Sequence, residues 1–159
     1  MMRKDKKRFK VAMIGHKRVP SREGGIEVVV EELSVRMVER GLKVDVYNRK
    51  DRFGKAYKQP REYKGIRIIQ IPTFKVSALN AFVYSVLASF RALFGGYDCI
   101  HYHAEGPCAM MWLPKLFGIH TVATIHGLDW QRAKWGGFST KYLKLGEKCA
   151  SKYPDELIV

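Results

Sequence analysis

Cysteine is scarce in this sequence of 159 residues, and the scarcity argues against two classes of small domain. Cys99, Cys108 and Cys149 are widely separated, and no two of them form a CxxC pair. A zinc ribbon needs paired cysteines, and a disulfide framework needs an even number of them. We therefore expect three reduced, mostly buried thiols in a cytoplasmic protein.

Two glycine-rich nucleotide-binding patterns are absent. GxGxxG does not occur, because Gly15 and the pair Gly24–Gly25 are too far apart to form it, and the Walker A pattern does not occur either. These absences remove the usual sequence support for ATP phosphate binding. They also make a nicotinamide-dependent oxidoreductase the weakest of the functions considered.

No apolar run is long enough for a membrane-spanning helix. The longest uncharged stretch, Val76–Phe90, has about fifteen residues, whereas a spanning helix needs about 20. We predict a largely buried helix there, which at most touches a bilayer surface. The basic start of the chain runs into a strand rather than into the apolar region of a signal peptide.

Acidic residues are outnumbered, with 15 Asp and Glu against 29 Lys and Arg, which gives a net charge of +14. Such a balance favours nucleic acid, anionic lipid headgroups or phosphate-bearing substrates as partners. Much of the charge lies in residues 1–9, a predicted basic tail that is either solvated or in contact with a membrane or substrate.

Strand and helix patterns alternate through residues 10–159, which is about one domain. This alternation predicts an α/β fold with a doubly wound, parallel, Rossmann-like sheet of about six strands. The predicted strands are Lys10–Gly15, Lys43–Tyr47, Ile66–Ile71, Cys99–His103, Thr121–Ile125 and Glu156–Val159. Because the last strand has no helix after it, we expect the chain to be cut from a longer protein.

Four helices are expected between these strands. The first follows Gly25 and ends before Gly41, a residue suited to the C′ position. The second is the uncharged helix, which continues to about Phe94, and the third runs from Pro107 to about Phe117. Two apolar faces are predicted to point inward: Ile26, Val29, Val30, Leu33 and Met37 on the first helix, and Phe138, Tyr142, Leu145 and Cys149 on the fourth.

Three loops are predicted at the carboxyl edge of the sheet, where open parallel sheets bind their ligands: His16–Gly25, Ala104–Gly106 and His126–Gly137. The pair Gly24–Gly25 lies where the first helix begins. Its backbone N–H groups would suit a pyrophosphate or sugar hydroxyls, although the pair also suits a tight strand-to-helix turn.

Histidines follow or end two of these strands. His126 comes directly after the fifth strand, where it would hydrogen-bond a substrate hydroxyl or a developing charge, or would cap the strand end. His101 and His103 share one face of the fourth strand, but a metal site would need a third ligand, and we predict no metal. Glu105 either accepts a hydrogen bond from an acceptor hydroxyl or is solvated.

The segment 129–137, DWQRAKWGG, combines two tryptophans with Arg132 and Lys134. Aromatic faces stack on sugar rings, and Arg and Lys bind phosphate. The same composition suits single-stranded nucleic acid, or two tryptophans that pack under the next helix.

Two motifs resemble those of a known family. Residues 24–27 (GGIE), followed by Arg40–Gly41 and residues 43–46 (KVDV), resemble the opening of family 4 glycosyltransferases of the GT-B fold. Residues 126–136 (HGLDWQRAKWG) are similar to a segment of the bacterial rhamnosyltransferase-like branch of that family. The resemblance covers nearly the whole chain, from Lys10 to Val159.

The resemblance implies a hexosyltransferase-type enzyme that transfers a sugar with retention from a nucleoside-diphosphate sugar to an acceptor hydroxyl, without a required metal. It implies that Gly24 and Gly25 line the donor diphosphate, that Glu27 lies beside the substrate, and that His126 contacts the transferring sugar. The loop beside His126 would contribute Asp129, Arg132 and Lys134 to the substrate site.

The family's donor-binding C-terminal domain is not in this sequence, so we expect residues 10–159 to be the acceptor-side half and to be inactive alone. A glycan or lipid-linked acceptor at the inner membrane face is the expected partner, with the protein cytoplasmic or peripheral to an anionic membrane. The alternative is a basic Rossmann-like module that binds nucleic acid, although RNP1 and GXXG signatures are absent.

Overall fold

The computed structural model describes residues 7–51, 58–73, 77–127 and 136–159, which form an α/β domain. Within these residues the strands are β1 (Lys10–Ile14), β2 (Lys43–Asp51), β3 (Glu62–Tyr63), β4 (Ile66–Thr73), β5 (Cys99–His103), β6 (His120–Thr124) and β7 (Glu156–Ile158). The helices are α1 (Gly25–Glu39), α2 (Ser77–Leu93), α3 (Glu105–Cys108), α4 (Trp112–Leu116) and α5 (Gly137–Lys152).

The strands of the described residues form one sheet in the order β3-β4-β2-β1-β5-β6-β7. All neighbouring strands are parallel except β3 and β4. The order reverses at β1, so the switch point lies between β1 and β5. The predicted fold class is confirmed, and so are its six parallel strands, although β7 lies at the sheet edge. The unpredicted β3 is a two-residue strand joined to β4 by a turn in which Lys64 and Gly65 have positive φ.

The two faces of the sheet are covered by different helices, because successive strand residues point to opposite sides. Val11 and Met13 of β1 pack in the cluster that contains the inward residues of α1. Ala12 and Ile14 pack in a second cluster with residues of α2, α3 and α5. Helices therefore cover both faces of β1 and bury its residues 11–14, while Lys10 is half-buried.

The end of α1 confirms the sequence prediction. Gly41 has φ 87°, its N–H donates to Val38 O, and the N–H of Leu42 donates to Met37 O. This pair of bonds is the Schellman motif, which needs a left-handed residue at C′ and therefore favours glycine.

The inward face of α5 was predicted only in part: Cys149 is buried and the hydroxyl of Tyr142 donates to Gly106 O, but the other two predicted residues point outward. Phe138 is 69% exposed and Leu145 is also exposed, whereas Leu143, Gly146, Cys149 and Ala150 are buried. Gly146 explains this orientation: a Cβ there would lie 1.8 Å from the carbonyl oxygen of Glu105. The backbones of α3 and α5 touch at this glycine, and that contact fixes which side of α5 faces inward.

The other helices also differ in detail from the predictions. The single helix predicted from Pro107 to Phe117 is divided into α3 and α4, because Pro114 has no N–H to donate to a carbonyl one turn earlier. The helix α2 is buried only on the side that bears Tyr84, Ala88 and Ala92. On α1, Val29 is exposed, and the fully or nearly buried positions are Glu27, Val30, Glu31 and Ser34.

We predict that Gly15→Ala destabilises the fold by at least about 3 kcal/mol, the sum of left-handed strain and a steric clash. Gly15 has φ 128°, and a Cβ there would lie 1.9 Å from the carbonyl oxygen of His103. Chemical denaturation measures the loss. The matched control is Gly41→Ala, which has positive φ but open space and should cost only about 1 kcal/mol. Equal losses in the two variants would contradict the steric argument.

Candidate functional site

The carboxyl ends of the parallel strands form one edge of the sheet, which we call the rim. The loops that follow β1, β5 and β6 all begin there, as the sequence predicted. The end of β1 approaches β5 so closely at Gly15 that no side chain fits between them. Because this contact lies at the switch point, the rim is where an open α/β sheet would hold a ligand.

Three histidines meet at the rim, and we call His101, His103 and His126 the histidine group. The ring of His103 stacks on that of His101 at a centroid distance of 4.2 Å and on that of His126 at 5.4 Å. Nδ1 of His103 is 3.1 Å from Nε2 of His126, a hydrogen-bond distance. His101 and His103 are buried and His126 is exposed. The group therefore runs from the interior to the surface of the rim.

A second set of hydrogen bonds holds the loop that follows β1. The side chain of Asn48, on β2, accepts through Oδ1 from Val19 N at 3.0 Å and donates through Nδ2 to Val19 O at 2.8 Å. Nε2 of the buried His16 lies 2.8 Å from the same Oδ1. An amide oxygen only accepts, so Nε2 of His16 carries the proton. Asn48 thereby fixes both the loop and the tautomer of His16.

Burial keeps the inner histidines neutral. It lowers the pKa of His16 to about 4, and the hydrogen bond to Asn48 offsets part of this effect. It also lowers the pKa of His101 to about 4, and the pKa of His103 well below its ordinary value. For both, the charge of a neighbouring histidine acts in the same direction. The interior of the rim is thus lined by uncharged imidazoles.

The predicted glycine pair lies where α1 begins. Gly24 is the N-cap residue with extended backbone, its carbonyl accepts from Val28 N, and Gly25 is the exposed first residue of the helix. Glu27 is buried, and its Oε1 accepts from Lys17 N at 2.9 Å. A Cβ at Gly24 would lie 2.2 Å from Oε2 of the same carboxylate. This structure therefore uses Glu27 to hold the loop, and its role toward substrate stays a prediction.

The remaining predicted site residues fall into two groups. Glu105 begins α3 and is fully buried, so it is not the solvated loop carboxylate that the sequence also allowed, and its role toward substrate stays a prediction. Asp129, Arg132 and Lys134 lie outside the described residues. The tryptophans of the same segment lie outside them too.

Sequence reasoning missed three residues beneath the rim: Tyr84, Asn48 and Arg49. The hydroxyl of Tyr84 accepts from Gly15 N at 3.0 Å and donates to Tyr47 O at 2.5 Å, so it ties β1 to β2. The guanidinium of Arg49 lies 4.7 Å from the centroid of the Tyr84 ring. The prediction ended β2 at Tyr47, so it placed Asn48 and Arg49 in a loop. The sequence feature that could have indicated them is the pair of polar residues Asn48 and Arg49, which directly follows the apolar part of a buried strand.

The part of the chain that the structure describes contains neither a candidate metal site nor a candidate membrane-spanning helix. No group of three or more His, Cys, Asp or Glu residues there could hold a metal ion. No helix among the same residues is both long enough and apolar enough to cross a bilayer.

Known proteins resemble this chain in sequence and in fold. Residues 23–158 match the family model described as Glycosyltransferase Family 4. A D-inositol 3-phosphate glycosyltransferase from Thermobifida fusca (strain YX) is 30% identical, over 67% of this chain and 28% of that protein. A sucrose-phosphate synthase from Thermosynechococcus elongatus has a similar fold, with a TM-score of 0.67 and 20% identity over 96% of this chain and 42% of that one. The chain thus spans less than half the length of either protein. These matches do not favour the nucleic-acid-binding alternative.

We predict that the free energy of unfolding falls by about 2 kcal/mol for each of His16 and His101 between pH 7.5 and pH 5. In the unfolded chain these histidines bind a proton below about pH 6.5, whereas in the folded chain they bind it only below about pH 4. The free energy of unfolding therefore falls as the pH is lowered through this window. Urea unfolding at the two pH values measures the difference.

His16→Gln tests this, because the Gln amide replaces the Nε2–H donor and cannot titrate in this range. The pH-dependent loss should shrink by about 2 kcal/mol in this variant. Lys43→Gln, at an exposed position on β2, removes no histidine, so it is the control and should keep the full loss. An unchanged loss in His16→Gln would contradict the assignment.

Proposed function

Because this chain belongs to glycosyltransferase family 4, we propose that it is the acceptor-side half of an enzyme that transfers a sugar from a nucleoside-diphosphate sugar to an acceptor hydroxyl. Residues 10–159 are this half of a GT-B enzyme, and residues 1–9 are its basic tail. A separate C-terminal domain binds most of the donor. The chain alone is inactive, because transfer needs both walls of the cleft.

The observation that carries this proposal is the hydrogen bond between the exposed His126 and the buried His103. Holding a side chain in one orientation before the substrate arrives lowers the entropic cost of the reaction. An imidazole fixed at the rim, one strand away from the switch point, is oriented to hydrogen-bond a hydroxyl of the transferring sugar. We propose this role for His126, in a hexosyltransferase-type reaction that retains the configuration of the sugar.

The motif resemblance and the chemistry of each residue support the remaining roles that we propose. The N–H groups of Gly24 and Gly25 face the donor diphosphate at the start of α1, where helix N–H groups favour negative charge. Asp129, Arg132 and Lys134 bind substrate from the next loop, and the two cations stabilise the departing diphosphate without a metal ion. The similarity of residues 126–136 to a rhamnosyltransferase segment supports rhamnose as the sugar. Glu27 and Glu105 complete the substrate site if the rim rearranges around them.

An apolar surface favours a lipid-linked acceptor. Helices α2 and α4 contact each other and expose Phe90, Trp112 and Leu116. Phe94 and Phe117, which directly follow the two helices, are exposed too, and we call these five residues the α2–α4 face. Phe94 is 88% exposed and Leu116 73%. Exposed apolar patches of this kind mark sites of interaction with proteins or membranes.

The charge of the chain supports an anionic bilayer as the partner of this face. The net charge is +14, and Arg91 lies exposed on α2 beside Phe90. A basic protein with aromatic side chains at its surface binds the headgroup region of anionic membranes. We propose that the enzyme is peripheral at the cytoplasmic membrane face, where it adds sugar to a glycan or lipid-linked acceptor for a cell-surface polysaccharide.

We predict that His126→Ala lowers kcat at least about 100-fold in the longer protein that carries both domains, because the substrate loses an oriented hydrogen bond in the transition state. A panel of nucleoside-diphosphate sugars, including a rhamnose donor, measures turnover and identifies the sugar. His120→Ala, on the exposed part of β6, is the matched control and should keep wild-type turnover. Unaltered turnover in His126→Ala would contradict the role of His126, and no turnover with any donor would contradict the proposed function.

We predict that the chain co-sediments with vesicles that contain anionic phospholipid and that added salt weakens this binding. The double variant Phe94→Ser, Phe117→Ser should weaken it at least about tenfold, because each phenylalanine loses its apolar burial. Val29→Ser is the control, since Val29 is exposed on α1, on the opposite face of the sheet. Sedimentation that does not depend on anionic lipid would contradict the membrane proposal.

A further inference from the structure

The bond between His103 and His126 can be made in two ways, because each neutral imidazole carries one proton on either of two nitrogens. In the first arrangement, Nδ1–H of His103 donates to Nε2 of His126. In the second, Nε2–H of His126 donates to Nδ1 of His103. The distance of 3.1 Å fits both. They differ in which nitrogen of the exposed ring carries the proton.

The far nitrogen of His103 distinguishes the two arrangements. Nε2 of His103 is buried and has no hydrogen-bond partner among the described residues. In the second arrangement this nitrogen would carry a proton, so an N–H group would be buried without an acceptor. Orphaned buried N–H groups are rare in folded proteins because they lose their hydrogen bonds to water. The first arrangement leaves only a bare ring nitrogen buried.

The ring of His103 is also held against rotation. It lies between the rings of His101 and His126, with interplanar angles of 27° and 24°. His101 is itself fixed, because its Nε2 lies 2.7 Å from Oγ1 of Thr124 on β6. Burial favours the neutral form of His103, so it does not act as a cation toward His126. The stack therefore points Nδ1 of His103 steadily at the exposed histidine.

We propose that His103 is a positioning residue that donates its Nδ1–H to Nε2 of His126 and thereby fixes the proton of His126 on Nδ1. His126 then presents an N–H group, a hydrogen-bond donor, to the substrate. Its ligand is an acceptor atom: a hydroxyl or ring oxygen of the sugar, or an oxygen that gains negative charge. This last step rests on the proposed function, whereas the position of the proton does not.

The test is a long-range proton–nitrogen NMR spectrum of the nitrogen-15-labelled chain at pH 7.5, with the signals of the two histidines assigned by substitution. We expect His126 to be protonated at Nδ1 and bare at Nε2, and His103 to be protonated at Nδ1. A spectrum in which His126 carries its proton on Nε2 overturns the proposal.

Two variants of His103 distinguish its hydrogen bond to His126 from its packing between the neighbouring rings. His103→Asn keeps an amide N–H near the position of Nδ1 and should preserve the Nδ1–H form of His126. His103→Leu removes the donor, so the ratio of the two His126 tautomers should shift about tenfold toward the Nε2–H form. An unchanged ratio in His103→Leu overturns the proposal. If that variant does not fold, the wild-type and His103→Asn spectra decide between the two arrangements.

The spectra need no sugar donor, so they test the positioning role of His103 independently of the proposed function. A proton on Nε2 of His126 overturns the positioning role and leaves sugar transfer untouched. The expected tautomer, together with a two-domain protein that transfers no sugar, overturns the proposed function and leaves the positioning role intact.

Discussion

The rim depends on the contact between the ends of β1 and β5. Gly15 lies against the backbone of His103, and this contact brings the loop after β1 next to the histidine group. Parallel strands end at the same edge in any sheet of this type, but only the missing side chain lets these two strands end in van der Waals contact. The tyrosine hydroxyl that bridges Gly15 and Tyr47 extends the same constraint to β2. Three strands are thus locked together directly beneath the exposed imidazole.

Buried polar side chains hold the loop after β1 in place. Asn48 makes two hydrogen bonds with the backbone of Val19, and Glu27 accepts from the backbone of Lys17. Each reaches the loop after β1 from a neighbouring element. A buried amide or carboxylate is costly unless it is hydrogen-bonded, so these bonds fix the loop in one place. Buried polar side chains of β2 and α1 therefore hold the loop after β1 in place at the rim.

Most of the fold could be predicted from the sequence, because periodicity reports burial directly. The six parallel strands and the C′ role of Gly41 followed from alternation and from a well-placed glycine. The inward face of α5 could be predicted only in part, because it depends on a backbone contact at Gly146 that no hydrophobic pattern encodes. The strand β3 has only two residues, too few to form a pattern.

The sequence indicated where the candidate site lies, but it did not indicate the hydrogen bond that joins its histidines. His126 and His103 stood out as histidines at strand ends, and the parallel sheet placed both at one edge. That the two rings bond to each other depends on side-chain directions that sequence spacing does not give. Asn48 was missed because β2 runs four residues further than its apolar segment suggested.

The carboxylate of Glu27 has an electrostatic consequence for any phosphate compound that approaches α1. The positive end of the helix dipole already faces a negative group of the protein itself, so an incoming diphosphate would meet repulsion as well as attraction. Cations near the start of α1 would therefore have to offset this repulsion before the amides of Gly24 and Gly25 could hold the diphosphate of the proposed donor.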